Sequence, residues 1–158
     1  MDAVNGDTAT SATFDPRGLV ELDGTIPKIS EIDGERAELD ARELSTRKIN
    51  AELRWLLYEH GVKDVTIKNP SARHSLGVGI LTRCRMTFEG SLGYFGVGLI
   101  DGPEVHITGR VGWSVAENMM SGVVVIEGTA GSLAGAAMRG GDLVVKGRLG
   151  ARDRKSVV

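Results

Sequence analysis

From Thr66 onward, apolar positions return at a fixed interval. One set reads Ile67, Met86, Val105, Val124 and Leu143, each 19 residues after the last. Two residues further on, the set reads Asn69, Phe88, Ile107, Ile126 and Val145. The positions between them are mixed: Lys68, Thr87, His106, Val125 and Val144. Apolar, mixed, apolar is the pattern of a strand with one face turned inward. Further apolar sets are Leu92, Val111, Ala130, Leu149 and Leu81, Ile100, Met119, Met138. Glycines keep the same interval, at Gly90, Gly109, Gly128 and Gly147, and again three residues later at Gly93, Gly112, Gly131 and Gly150. Self-similarity at a period near twenty marks a solenoid. The expected fold is all-β: a right-handed parallel β-helix with 19-residue coils, in which like side chains stack in ladders about 4.8 Å apart.

Ahead of the repeat the pattern changes. Ile49, Leu53, Leu56 and Leu57 form one apolar stripe at helical spacing, which predicts a helix from about Ser45 to His60. Ser45 suits its N-cap and Gly61 its left-handed end. This helix is expected to cover the first coil, because an open solenoid end shows unpaired backbone. Residues 1–43 read as a tail and an extended arm, 44–62 as the capping helix, 63–150 as the β-helix and 151–158 as a charged tail. Within 1–43, residues 1–18 are small and polar and read as mobile. The first coil is atypical: Ser71 and His74 stand where later coils have glycine, while Gly77 and Gly79 match Gly96 and Gly98. Ala151 to Val158 break the ladders, so the solenoid stops in mid-coil.

The glycine columns have two candidate causes. Corners that need positive φ favour a residue without Cβ. Stacking also repeats any crowded position against itself, so a steric requirement propagates down a column.

Composition narrows the class. Aromatic residues make up 4% and glycines number 22 of 158, which suits thin stacked coils better than a bulky core. A net charge of −2 gives no electrostatic case for nucleic acid or an anionic membrane. No apolar run is long enough to span a bilayer, and Met1 to Asn5 lack the pattern of a secretory signal. The single cysteine, Cys84, has no internal disulfide partner. Together these point to the cytoplasm.

Candidate chemistry is sparse. Cys84 has no C-x-x-C partner and reads as a structural thiol. His60, His74 and His106 lie far apart without metal-ligand spacing, so no metal site is expected. Gly93-Tyr94-Phe95-Gly96-Val97-Gly98 belongs to the repeat and lacks the lysine-serine of a phosphate loop. No catalytic constellation emerges. The segment Glu117 to Gly122 departs most from the repeat. Asn118 either ties down a turn or, with Glu117, faces a partner or a passage. Tyr94 and Trp113 share a column, as an exposed aromatic pair suited to an interface or as stacked structural neighbours.

With the 19-residue coils and their G-x-x-G, the run Val115-Ala116-Glu117-Asn118-Met119-Met120-Ser121-Gly122 resembles the GXGXG-motif β-helix of the glutamate synthase family. In particular the chain resembles the stand-alone form of that domain, the GlxC-like subunit of N-methylglutamate synthase. The helix opening Leu44-Ser45-Thr46-Arg47-Lys48-Ile49-Asn50 fits as well, so the likeness covers about residues 40–150. The resemblance implies a noncatalytic scaffold in a hetero-oligomer. Its partners would be an amidotransferase-like subunit, with an N-terminal cysteine nucleophile, and a synthase-like subunit carrying FMN and an iron–sulfur cluster. No cofactor is then expected in this chain, and one cysteine is too few to ligate a cluster. The chain departs from the family in ending after about four and a half coils and in its long segment before the helix.

Other readings share parts of the pattern. The C subunit of formylmethanofuran dehydrogenase has a similar coil. Hexapeptide acyltransferases need coils of eighteen, which the interval of nineteen disfavours. A self-assembling structural β-helix would stack end to end, against the charges of Arg152, Arg154 and Lys155.

Overall fold

The computed structural model describes Asp15, Arg17, Gly18 and residues 28–150. Most of the expected tail and all of residues 151–158 lie outside the described residues. One sheet of seven strands runs in sequence order: β1 (Ser30–Asp33), β2 (Arg36–Asp40), β3 (Asp64–Lys68), β4 (Arg85–Glu89), β5 (Asp101–Ile107), β6 (Ser121–Ile126) and β7 (Asp142–Val145). Only β1 and β2 pair antiparallel; every later pair is parallel. A parallel strand following its predecessor must travel round a full coil. The result is a β-solenoid of about four turns. A second, single-residue ladder, Leu92–Val111–Ala130–Leu149, runs along another side.

The inward ladders hold the coils together. Met86, Val105, Val124 and Leu143 are stacked neighbours, as are Phe88, Ile107, Ile126 and Val145, and all eight are buried. Each such side chain contributes roughly 1.5–3 kcal/mol when fully buried. The first coil departs from the expected alignment. Val65, not Ile67, lies beside Met86, and Ile67 lies beside Phe88. Asn69 leaves the strand with φ of 54°. The first coil is therefore two residues longer on this side (65 to 86 against 86 to 105). Further round, the first coil is longer by one residue (80 to 100 against 100 to 119), which puts Ile80, rather than Leu81, into the core with Ile100 and Met119 and leaves Leu81 60% exposed.

The helix caps the first coil through its side chains. Helix α1 spans Thr46–Arg54, shorter than expected, and is continued by a π-helical turn at Trp55–Glu59. Ser45 is the N-cap, its hydroxyl accepting from the Lys48 amide at 3.2 Å. Ile49, Leu53, Leu56 and Leu57 are buried, and Gly61 follows the helical segment at φ of 70°. Interior coils satisfy their backbone against coils on both sides, whereas the first coil has none before it. Here α1 and the turn supply the partners. Asn50 donates to the Ser75 carbonyl at 2.8 Å and accepts from the Gly77 amide at 2.9 Å. Arg54 donates to the Val78 carbonyl, and the Leu81 amide donates to the Tyr58 hydroxyl. On the strand side, β2 does the same for β3. The stretch expected as an extended arm thus contains a hairpin that begins the sheet, turning at Gly34 with φ of 59°.

Candidate functional site

Close approach, rather than positive φ, explains most of the repeated glycines. A Cβ on Gly109 would lie 2.5 Å from the carbonyl carbon and oxygen of Gly90, and one on Gly128 would lie 2.6 Å from the Gly109 oxygen. Gly147 meets Gly128 in the same way. Of the two columns, only Gly90 has φ in the left-handed half, at 144°. Positive φ falls elsewhere, on every second residue of the run that closes each coil. Ser75, Gly77 and Gly79 carry it in the first coil, and Phe95, Val97 and Leu99 in the second. Ser114, Ala116 and Asn118 follow in the third, and Leu133, Gly135 and Ala137 in the fourth. Gly77 therefore stands in the column of Val97, not of Gly96, and its Cβ would lie 3.1 Å from Val97 Cγ1. Hydrogen bonds between coils hold these residues in place: Phe95 N donates to Trp113 O, Val97 N to Leu76 O and Leu99 N to Glu117 O, at 2.8–2.9 Å.

The second glycine column makes room for aromatic rings. A Cβ on Gly93 would collide with the His74 ring, one on Gly112 would lie 3.0 Å from Tyr94 Cδ1, and one on Gly131 would lie 2.7 Å from Trp113 Cδ1. Each ring leans over the glycine of the following coil. His74 and Tyr94 stack at 4.4 Å between centroids, 11° from parallel, and Tyr94 and Trp113 follow at 5.9 Å and 38°. The Tyr94 amide donates to His74 Nδ1 at 2.8 Å, which fixes the first ring. Tyr94 is 54% and Trp113 58% exposed. The structure therefore brings Tyr94 and Trp113 together as an exposed ladder, which His74 extends.

Glu117 and Asn118 are half-buried in the closing run of the third coil. Asn118 has φ of 56°, a conformation asparagine tolerates better than most residues, and its amide donates to Ala136 O at 2.9 Å. This is a turn-holding position. Glu117 N donates to Ser114 O within the same run. Neither residue shares a ring contact with the Tyr94–Trp113 pair.

The strand side carries polar networks. Glu127 accepts from Lys146 at 2.9 Å and meets His106 Nε2 at 2.7 Å. These bonds, Lys146 first, hold the Glu127 carboxyl below its ordinary range. Cys84 lies half-buried in an open groove with Lys63, Asp64, Arg83, Arg85 and Glu104. Burial, reinforced by Asp64, pushes its thiol up to about 11. A thiol held protonated at neutral pH is a poor nucleophile. Among the described residues no group of three His, Cys, Asp or Glu side chains is placed to hold a metal ion.

One polar cluster was missed by sequence reasoning. Glu52 sits on the buried face of α1, accepting from the Ser30 hydroxyl and, at 2.7 Å, from Arg17. Arg17 also pairs with Asp15 at 2.9 Å and lies 4.9 Å above the Trp55 ring. The side chains of Arg17 and Glu52 are 5% and 1% exposed. The available signal was an acid three residues after Ile49, inside the apolar stripe.

The chain is 40% identical over 90 residues to Protein GlxC of Rhizobium meliloti (strain 1021), across 56% of this chain and 39% of the relative. It spans about two fifths of that relative's length. No family model and no solved structure matches. Among the described residues, no helix is long and apolar enough to cross a membrane.

Proposed function

We propose that this chain is a noncatalytic scaffold subunit of a glutamate synthase-like complex of the N-methylglutamate synthase type, acting in the cytoplasm. It joins an amidotransferase-like subunit to a subunit carrying FMN and an iron–sulfur cluster. The overall reaction moves nitrogen between glutamate or glutamine and an amine such as methylamine. The observation that carries this reading is the 40% identity to Protein GlxC, which lies on a chain built as a β-solenoid. The GXGXG-type columns support it physically. Gly109, Gly128 and Gly147 hold adjacent coils in backbone contact, which makes the solenoid a stiff rod rather than a deformable pocket.

The described chemistry fits a scaffold. The Cys84 thiol is held protonated, and the His106–Glu127–Lys146 network lies open on the strand side. Neither forms a nucleophile with an adjacent oriented base. The test is co-expression with the neighbouring genes, followed by purification through a tag on this chain. Recovery of an N-terminal-cysteine amidotransferase-like subunit and a flavoprotein supports the reading. Flavin absorbance or nitrogen-transfer turnover in the isolated chain contradicts the noncatalytic assignment.

A further inference from the structure

The two sides of the solenoid differ in chemistry. On the strand side, acids and bases pair with one another: Arg85 with Glu104 at 3.3 Å, Lys146 with Glu127 at 2.9 Å and Lys68 with Glu38 at 2.8 Å. The other side comprises residues 70–80, 90–100, 109–119, 128–138 and 147–150, and Glu117 is its only acid. Its arginines are Arg73, Arg110 and Arg148. Arg110 and Arg148 are exposed and form no ion pair among the described residues. The same side carries the exposed ladder Tyr94–Trp113 and, in the next coil, exposed Leu133.

We propose that this aromatic side is the docking surface for a partner subunit, which meets it with an acidic face bearing apolar side chains. The proposal rests on the scaffold reading and says where the scaffold is engaged. Charge decides the partner's chemistry. A surface with unpaired arginines and one acid repels a basic face and attracts an acidic one. The rings decide where the affinity lies. Tyr94 and Trp113 are large amphipathic groups, the kind that dominates interface energetics. They are already held by stacking, by the His74 bond and by the glycines beneath them, so little rotamer freedom is lost on binding. The strand side has no comparable anchor, since β2 to β7 carry no exposed large apolar side chain.

The experiment measures binding of the separately purified amidotransferase-like and flavin subunits to three forms of the full chain, at low and high salt. The forms are wild type, a Tyr94→Ala/Trp113→Ala double variant and an Arg110→Glu variant. A strand-side Arg85→Ala/Glu104→Ala variant serves as control. All substituted side chains are exposed, and an unchanged melting temperature establishes folding. The expected result is a loss of about tenfold or more in affinity for one subunit in the ring variant. Arg110→Glu weakens the same subunit mainly at low salt, and the control binds as wild type. A complex that keeps its affinity in both aromatic-side variants overturns the docking surface while leaving the scaffold reading intact. Wild-type chain that binds neither subunit overturns the scaffold reading, and the docking proposal with it. Wild-type binding to phosphatidylserine vesicles that both aromatic-side variants lose, with subunit binding unchanged, reassigns the surface to a membrane and also overturns the proposal.

Discussion

Gly109→Ala tests whether the glycine columns exist because coils touch. The added Cβ would stand 2.5 Å from the carbonyl carbon and oxygen of Gly90 and 2.5 Å from the Ser91 hydroxyl. Two of these atoms are backbone, so no rotamer change relieves them. Ordinary contact begins at 3.4 Å, so the coils must part by about 0.9 Å at this corner. The Gly109 amide donates to Gly90 O at 2.9 Å, and that separation stretches the bond beyond hydrogen-bonding range. Losing the bond costs about 1 kcal/mol net, and the overpacking adds about 1–3 kcal/mol. The expected total is roughly 2–4 kcal/mol. Gly61→Ala is the comparison. Gly61 has φ of 70° with nothing within 4 Å of its Cβ, so alanine there meets only backbone strain, about 1–2 kcal/mol. Urea denaturation followed by circular dichroism measures both, with matching slopes confirming that the transition stays cooperative. Gly109→Ala within about 0.5 kcal/mol of wild type, or milder than Gly61→Ala, would refute the close-approach reasoning.

Asn50→Ala removes two of the bonds by which α1 closes the first coil, leaving the Ser75 carbonyl and Gly77 amide without that partner; the expected destabilisation is about 1–3 kcal/mol, with faster hydrogen exchange at the Gly77 amide. Arg17→Ala leaves the Glu52 carboxylate buried without its guanidinium and should cost about 3–5 kcal/mol. Adding Glu52→Leu should restore part of that, and a double variant no more stable than Arg17→Ala would contradict the pairing. Cys84 should alkylate slowly at neutral pH. Burial raises the thiol from an ordinary 9.0 to about 11, so the neutral form is favoured and thiolate near pH 7 is about a hundredfold scarcer than for a free cysteine. The iodoacetamide rate should keep climbing as pH rises toward 11, and a plateau near pH 9 would contradict the burial.

The period of the solenoid was legible because stacking forces it. Met86, Val105, Val124 and Leu143 share one inward position, and any slip by one residue would turn that whole face outward. A slip by two keeps every side chain on its face. This is why hydrophobicity alone paired Ile67 with Met86 when Val65 is the neighbour. The positive-φ run was hidden for a different reason. Phe95, Val97, Ser114 and Ala116 have no intrinsic preference for that conformation, which coil-to-coil hydrogen bonds impose. The hairpin β1–β2 did leave a mark, since its two-residue loop, Gly34-Glu35, opens on a glycine as tight hairpin turns do, but charges on both flanks masked the alternation. Of the candidate site, the pairing of Tyr94 with Trp113 followed from the shared column. His74 was misplaced, because the longer first coil moves it from a glycine position to the aromatic ladder.

The central proposal is that this chain joins the amidotransferase-like subunit to the flavin subunit. Sedimentation velocity on the purified amidotransferase-like and flavin subunits, with and without this chain, tests it most directly. The expected result is separate boundaries for the two subunits alone. Adding the chain should produce one faster boundary that contains all three components and carries the flavin absorbance. The two subunits sedimenting together without the chain, or the chain sedimenting apart from both, would contradict the account.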